Sequence, residues 1–131
     1  MGKKVAIIAA NGSLFDAYKV FNIATAAAAS DAEVKIFFTF EGLNLIHKEG
    51  YKQLPIPEGR EQIAAGFKKA NVPSMEEMIP LAQEMGVTFI ACQMTMDVMD
   101  LQKDAFIDGV EVGGAATFLQ FAQDADVSLT F

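Results

Sequence analysis

Apolar and polar positions along the chain follow two alternating rhythms. Five short runs are almost continuously apolar and rich in β-branched or aromatic residues: Val5 to Ala10, Val34 to Phe40, Val87 to Ala91, Val110 to Val112 and Val127 to Phe131. Runs of this length, closed by polar or glycine-containing turns, predict strands buried on both faces. Between them the spacing becomes helical. Leu14, Tyr18, Phe21 and Thr25 fall on or near one stripe, and Ser13 with Asp16 three residues later forms a capping box that starts this helix. The helix is expected to run to about Ser30. Its alanine-rich end, Ala24 to Ala29, has little side-chain bulk and suits tight helix–sheet packing or a close subunit contact. Strands alternating with helices predict a parallel five-stranded sheet with helices on both faces, a three-layer α/β/α architecture.

The stretch after the second strand is less regular. Glu41-Gly42 leads into a short helix expected over Leu43 to Lys48, which carries His47, the only histidine. A histidine near a helix C-terminus most often meets the last carbonyls or water. Residues 50–74 hold three of the four prolines (Pro55, Pro57, Pro73), together with Arg60, Lys68 and Lys69. With a helical patch from Glu58 to Ala70, this irregular segment reads as a flap or an oligomer arm. Ser74 and Glu77 form a second capping box before a helix ending near Met85, with Gly86 as its stop. Pro80 inside that helix predicts a kink or a late start.

At 131 residues and 52% hydrophobic content, the chain suits one domain (residues 1–131) with a full-sized core and excludes disorder. A net charge of −7 argues against nucleic acid, whose binders need clustered lysine and arginine. No apolar run approaches the ~18 residues of a membrane span. Two lysines precede Val5 to Ala10, but that run is shorter than the ~7–15 residues of a signal segment. Gly2 does not open an acylation motif either, because Ala6 stands at its hydroxyl position. A cytoplasmic protein is the expectation. Its single cysteine excludes an intramolecular disulfide, a cysteine-based zinc site and a two-cysteine peroxidase cycle within one chain. No metal or cofactor motif is present.

The candidate chemistry gathers where strands end, because a parallel sheet delivers all its C-terminal loops to one rim. That rim is expected to bring together Asn11-Gly12-Ser13, Glu41-Gly42, Cys92-Gln93 and Gly113-Gly114. Cys92 ends one strand just before a methionine-rich helical stretch, in which Met96 and Met99 lie three apart and Met94 and Val98 four apart. A thiol at a helix start faces free N–H groups that favour the thiolate, which lowers a cysteine pKa from ~8.5 into the range ~3.5–7.5. Asp97 and Asp100 act the other way. A buried, inert cysteine is the competing reading. The glycine pair Gly113-Gly114 permits close backbone approach at a strand-to-helix turn, either for a ligand or for packing. No dinucleotide fingerprint, P-loop, serine elbow or zinc motif occurs, so any nucleophilic chemistry rests on Cys92.

Three segments, FFTFEGLNLI (Phe37 to Ile46), FIACQMTMDVM (Phe89 to Met99) and DGVEVGGAATFLQFA (Asp108 to Ala122), together resemble the DsrE/DsrF-like family of small sulfur-trafficking proteins, in its peroxiredoxin-like branch. The resemblance spans nearly the whole chain. It implies a flavodoxin-like α/β/α fold and a homo-oligomer, trimeric or hexameric. It also implies a cysteine, here Cys92, that accepts sulfane sulfur as persulfide or holds thiosulfonate for a rhodanese-like or TusA-like partner, as a carrier rather than a turnover enzyme. On this reading Asn11, Gly12, Gly42, Gln93, Met94, Gly113 and Gly114 surround the substrate, with N–H donors from the glycines and a soft wall from the methionines. A second function stays open: a small-molecule or nucleotide-binding oligomeric module whose rim site does no covalent chemistry. A third is an oligomeric structural or adaptor subunit.

Overall fold

A computed structural model describes residues 3–131; Gly2, read above as a poor acylation site, lies outside them. The five expected strands form as β1 (Lys4–Ala9), β2 (Glu33–Phe38), β3 (Thr88–Cys92), β4 (Glu111–Gly113) and β5 (Val127–Thr130). They pair in parallel throughout, in the order β4-β3-β2-β1-β5. The helices are α1 (Leu14–Ala29), α2 (Glu61–Lys69), α3 (Met75–Glu84), α4 (Gln93–Val98) and α5 (Ala115–Ala122). Among the described residues no helix is long and apolar enough to cross a membrane.

This strand order decides which face each helix covers. From β1 to β4 the chain steps across the sheet in one direction, so right-handed crossovers keep those connections on one face. That side holds the larger core, in which the rings of Phe21, Phe38 and Phe89 meet at centroid distances of 5.4 to 6.1 Å. The step from β4 to β5 runs back over the whole sheet and puts α5 on the other face. There Phe118 and Phe121 cover Ala6, Phe37, Ile90 and Cys92, with Phe118 stacked on Phe37 at 5.1 Å. The connections after β3 and β4 therefore leave toward opposite faces. That divergence marks the crevice where open α/β sheets hold their ligands.

Local signals explain the helix boundaries. Asp16 accepts from the Ser13 N–H at 3.0 Å and from its hydroxyl at 2.6 Å, while Ser13 Oγ accepts from the Asp16 N–H at 3.2 Å. This is the capping box expected at the start of α1. Ser13→Ala removes the acceptor and is expected to cost about 1 kcal/mol, read as a lower urea midpoint with an unchanged slope. Helix α3 starts at its Ser74 cap, with Glu77 accepting from the Ser74 N–H and hydroxyl. It begins at that cap, without a late start, and runs through Pro80, which is exposed.

Two stretches depart from the expected pattern. The short helix placed at Leu43 to Lys48 is instead a 3-10 helix over Phe40–Leu45. It forms early because Thr39 makes a last sheet-like bond to the Ala9 carbonyl at 2.9 Å, and Phe40 then turns the chain with φ 50°. His47 falls outside the helix, in an isolated antiparallel bridge with Phe106. The proline-rich segment forms a 3-10 turn at Gly50–Lys52 and the exposed helix α2. No α2 residue is buried. The helix is held by Phe67, whose ring stacks on Tyr18 at 4.1 Å and tilts against Phe15 at 5.9 Å.

Candidate functional site

Cys92 is both the last residue of β3 and the N-cap of α4. It lies at the β3/β4 divergence, directly beside Gly113 in the sheet register. Its side chain turns to the α5 face. At that position an N-cap side chain faces the N–H groups two and three residues on, and the third residue's side chain faces back toward the cap. In this chain those residues are Met94 and Thr95. Thr95 is 2% exposed and is the polar residue of the buried set. Its hydroxyl lies 3.2 Å from that of Thr39 and accepts from the Phe40 N–H at 3.2 Å.

Burial pushes the Cys92 thiol up. The Thr95 hydroxyl and N–H, the Thr39 hydroxyl and the Met94 N–H all favour the charged sulfur and more than offset it, so Cys92 titrates below the ordinary thiol value. No backbone N–H of α4 makes a capping hydrogen bond to the resting side chain; the hydroxyls and N–H groups favour the charged sulfur as hydrogen-bond donors. Asp97 and Asp100 are not among the causes. Both are exposed, and Asp97 accepts from Gln93 Nε2 at 2.8 Å. In the contest left open by the sequence, short-range donors outweigh burial and lower the thiol pKa. Access is restricted, however: Cys92 is 4% exposed.

The other expected rim residues divide into groups. Gln93 and Met94 flank Cys92 on exposed positions of α4. Gly113 and Gly114 stand at its other side, where β4 leads into α5. A Cβ on Gly113 would press on the Ile90 side chain at 3.2 Å, whereas nothing lies within 4 Å of one on Gly114. Asn11 and Gly12 instead line a cavity of about 580 Å³ that does not include Cys92. It lies between the β1–α1 loop, the Phe40–Leu45 turn and the residues that follow α4. Gly42 is buried in that turn, and a Cβ there would overlap the Ala9 carbonyl; one on Gly12 would overlap the Glu41 carbonyl. The two glycines thus interlock the loops after β1 and β2.

Sequence reasoning missed Thr39, Thr95 and Phe40. Thr95 carried a signal, because a polar residue three after a helix cap faces back toward it. Thr39 carried none, since its neighbour Thr95 is 56 residues away.

Comparison with known proteins shows which family the chain is similar to. The model of the DsrE/DsrF/DrsH-like family matches residues 1–64 and 58–130. The chain is 40% identical over 154 residues to the protein named Sulfur carrier protein DsrE2 of Allochromatium vinosum, covering 97% of each. It is 32% identical over 155 residues to the uncharacterized protein YrkE of Bacillus subtilis, covering 97% of this chain and 96% of that one. Both alignments are longer than the 131 residues of this chain, so these relatives carry residues it lacks. The two family matches meet at 58–64, around the start of α2. Among solved structures, the ychN protein of E. coli superposes with a TM-score of 0.64 at 22% identity over 100% of both chains. The protein MTH1491 of Methanobacterium thermoautotrophicum gives 0.64 at 11% identity over 98% of this chain and 99% of that one. These two likenesses concern the fold. The family match along nearly the whole sequence and the 40% identity to a relative covered over 97% of its length lead to one conclusion: the chain belongs to the DsrE/DsrF/DrsH-like family.

Proposed function

We propose that this protein is a sulfur carrier that takes up sulfane sulfur on Cys92, as persulfide or thiosulfonate, and hands it to a partner without net turnover. The observation that carries this reading is the set of donors from Thr39, Met94 and Thr95 that favours the Cys92 thiolate at the β3/β4 divergence. The 40% identity to a protein named as a sulfur carrier supports it. In loading, the thiolate attacks the outer sulfur of a donor persulfide, R–S–SH. The new S–S bond at Cys92 forms as the donor's S–S bond breaks, and the donor leaves as R–S⁻. In delivery an acceptor thiolate attacks the outer sulfur and Cys92 departs as thiolate. The same donors that stabilise that thiolate make it a good leaving group, because a lower leaving-group pKa speeds exchange.

No acid–base apparatus is needed, which suits a carrier. The burial of Cys92 requires that a donor displace part of its cover, for which exposed Gln93 and Met94 are the movable candidates. Rhodanese-like or TusA-like proteins fit as donor and acceptor. A trimer or hexamer fits the exposed apolar side chains of Met94, Val98 and Leu119, and a reducing cytoplasm keeps a lone thiol free.

The test is incubation of the full chain with glutathione persulfide or tetrathionate, followed by intact mass and peptide mapping. One adduct on Cys92, lost in Cys92→Ser, is expected. A folded protein that stays unmodified while the unfolded chain reacts would overturn the reading. A second reading, a small-molecule-binding module without covalent chemistry, is favoured by two observations: the burial of Cys92 and a ligand-sized cavity separate from it.

A further inference from the structure

The cavity beside the β1 and β2 loops is not explained by sulfur transfer. Its volume of about 580 Å³ lies within the roughly 300–1,000 Å³ of small-molecule sites. Leu43, Pro55, Met99 and Leu101 give it an apolar wall. Its charged lining is entirely acidic: Asp16 and Glu41 contribute to it and no lysine or arginine does. Asp16 is already occupied by Ser13 and lies 3.9 Å from Lys19. Glu41 makes no ion pair among the described residues and is exposed. His47, also in the lining, accepts the Glu49 and Gly50 N–H groups on Nδ1 at 3.2 and 3.1 Å. That geometry leaves its proton on Nε2 as a hydrogen-bond donor. An anionic ligand such as a nucleotide would therefore meet carboxylates here, with no cation to pair it.

Phe40 is the second, independent feature. A bulky L-residue at φ 50° is an outlier, and such strain persists only where the surroundings hold it. Here the holders are two bonds: Phe40 N–H to Thr95 Oγ1 at 3.2 Å, and Gly42 N–H to the Thr39 carbonyl at 2.9 Å. The result is an aromatic residue left 53% exposed in the cavity wall, next in sequence to the unpaired Glu41. A carboxylate beside an aromatic face is the combination that recognises organic cations.

We infer that this cavity binds a small organic cation with an apolar body, its ammonium group at Glu41 and Phe40 and its body against Leu43, Met99 and Leu101. The site does not depend on Cys92 accepting sulfur, and the two readings fail separately. The experiment uses the isotope-labelled full chain and a pair of probes matched in shape and opposite in charge, phenethylammonium and phenylacetate. Phenethylammonium is expected to shift the amide resonances of Gly12, Ser13 and Phe40 to Asn44 saturably. For a fragment of this size Kd falls at about 1 mM. Phenylacetate is expected to bind at least about tenfold more weakly, as like-charge contact replaces attraction. Glu41→Gln, at an exposed position without side-chain bonds to lose, is expected to weaken phenethylammonium about fivefold. Cys92→Ser leaves that Kd unchanged. Equal binding of the two probes, no saturable shift with either, or an unchanged Kd in Glu41→Gln would each overturn the inference.

Discussion

Gly42→Ala is expected to cost at least about 3 kcal/mol, a large part of the roughly 5–15 kcal/mol that holds a domain of this size together. The backbone angle at Gly42 is not the reason, since it is not among the residues with positive φ. The reason is room. An added Cβ would overlap the Ala9 carbonyl oxygen, with the Ala9 carbonyl carbon and the Ala10 nitrogen just behind it. All three are backbone atoms at the end of β1, and that oxygen already accepts the Thr39 N–H at 2.9 Å. No flexible side chain is available to give way, so the loop after β2 must lift. Lifting it disturbs the Phe40–Leu45 turn and the wall of the cavity. Gly66→Ala in α2 is the control: nothing lies within 4 Å of its Cβ, and alanine in a helix interior is expected to stabilise by about 1 kcal/mol. Urea unfolding of the two variants checks both signs. A Gly42→Ala protein as stable as the parent would show that the two loops do not interlock.

Thr95→Val is expected to shift the pH profile of Cys92 alkylation upward while the protein stays folded. The hydroxyl is the strongest of the groups that favour the thiolate, and valine keeps its shape. A hydrogen bond to a charged acceptor is worth about 1.5–3 kcal/mol, so at its low end the thiolate fraction falls roughly tenfold at pH values below the Cys92 midpoint. A more basic thiolate is also more nucleophilic, which restores about half of that on a logarithmic scale. The net rate below that midpoint is then expected to fall about threefold. Thr95→Ser keeps the hydroxyl and is expected to restore both rate and midpoint. The same coupling appears in stability. Because the folded thiol titrates below its unfolded value, it contributes stability that is complete above the unfolded pKa, about 8.5, and is lost as pH falls through the folded pKa. Thr95→Val reduces that contribution. An unchanged alkylation midpoint would remove Thr95 from the account of Cys92.

Much of this was readable in advance. Each strand and helix was visible as a change of hydrophobic period, the Ser13 and Ser74 caps as local pairs, and Cys92 as the residue where a strand gives way to a helix. All of these depend on neighbours within a few positions. The late start that Pro80 suggested does not occur, because the Ser74 capping box fixes where the helix begins.

The sequence by itself determined the alternation of strands and helices, hence a parallel sheet, and the placing of one thiol at the ligand-bearing rim. Only the tertiary structure set the surroundings of the thiol and the direction of its pKa. The lowering of the Cys92 pKa comes first from Thr95 and in part from Thr39, which the pairing of β2 with β3 brings beside Thr95 across 56 positions. Gly12 and Gly42 look in sequence like glycines kept small for a ligand. In the fold each is filled by the other loop's backbone, and the expected single rim site divides into a buried cysteine and a separate acidic cavity. The physical reason is the same in both cases. Periodicity records which side of an element faces the core, while strand order and register record which elements meet, and those emerge only when the whole sheet is assembled.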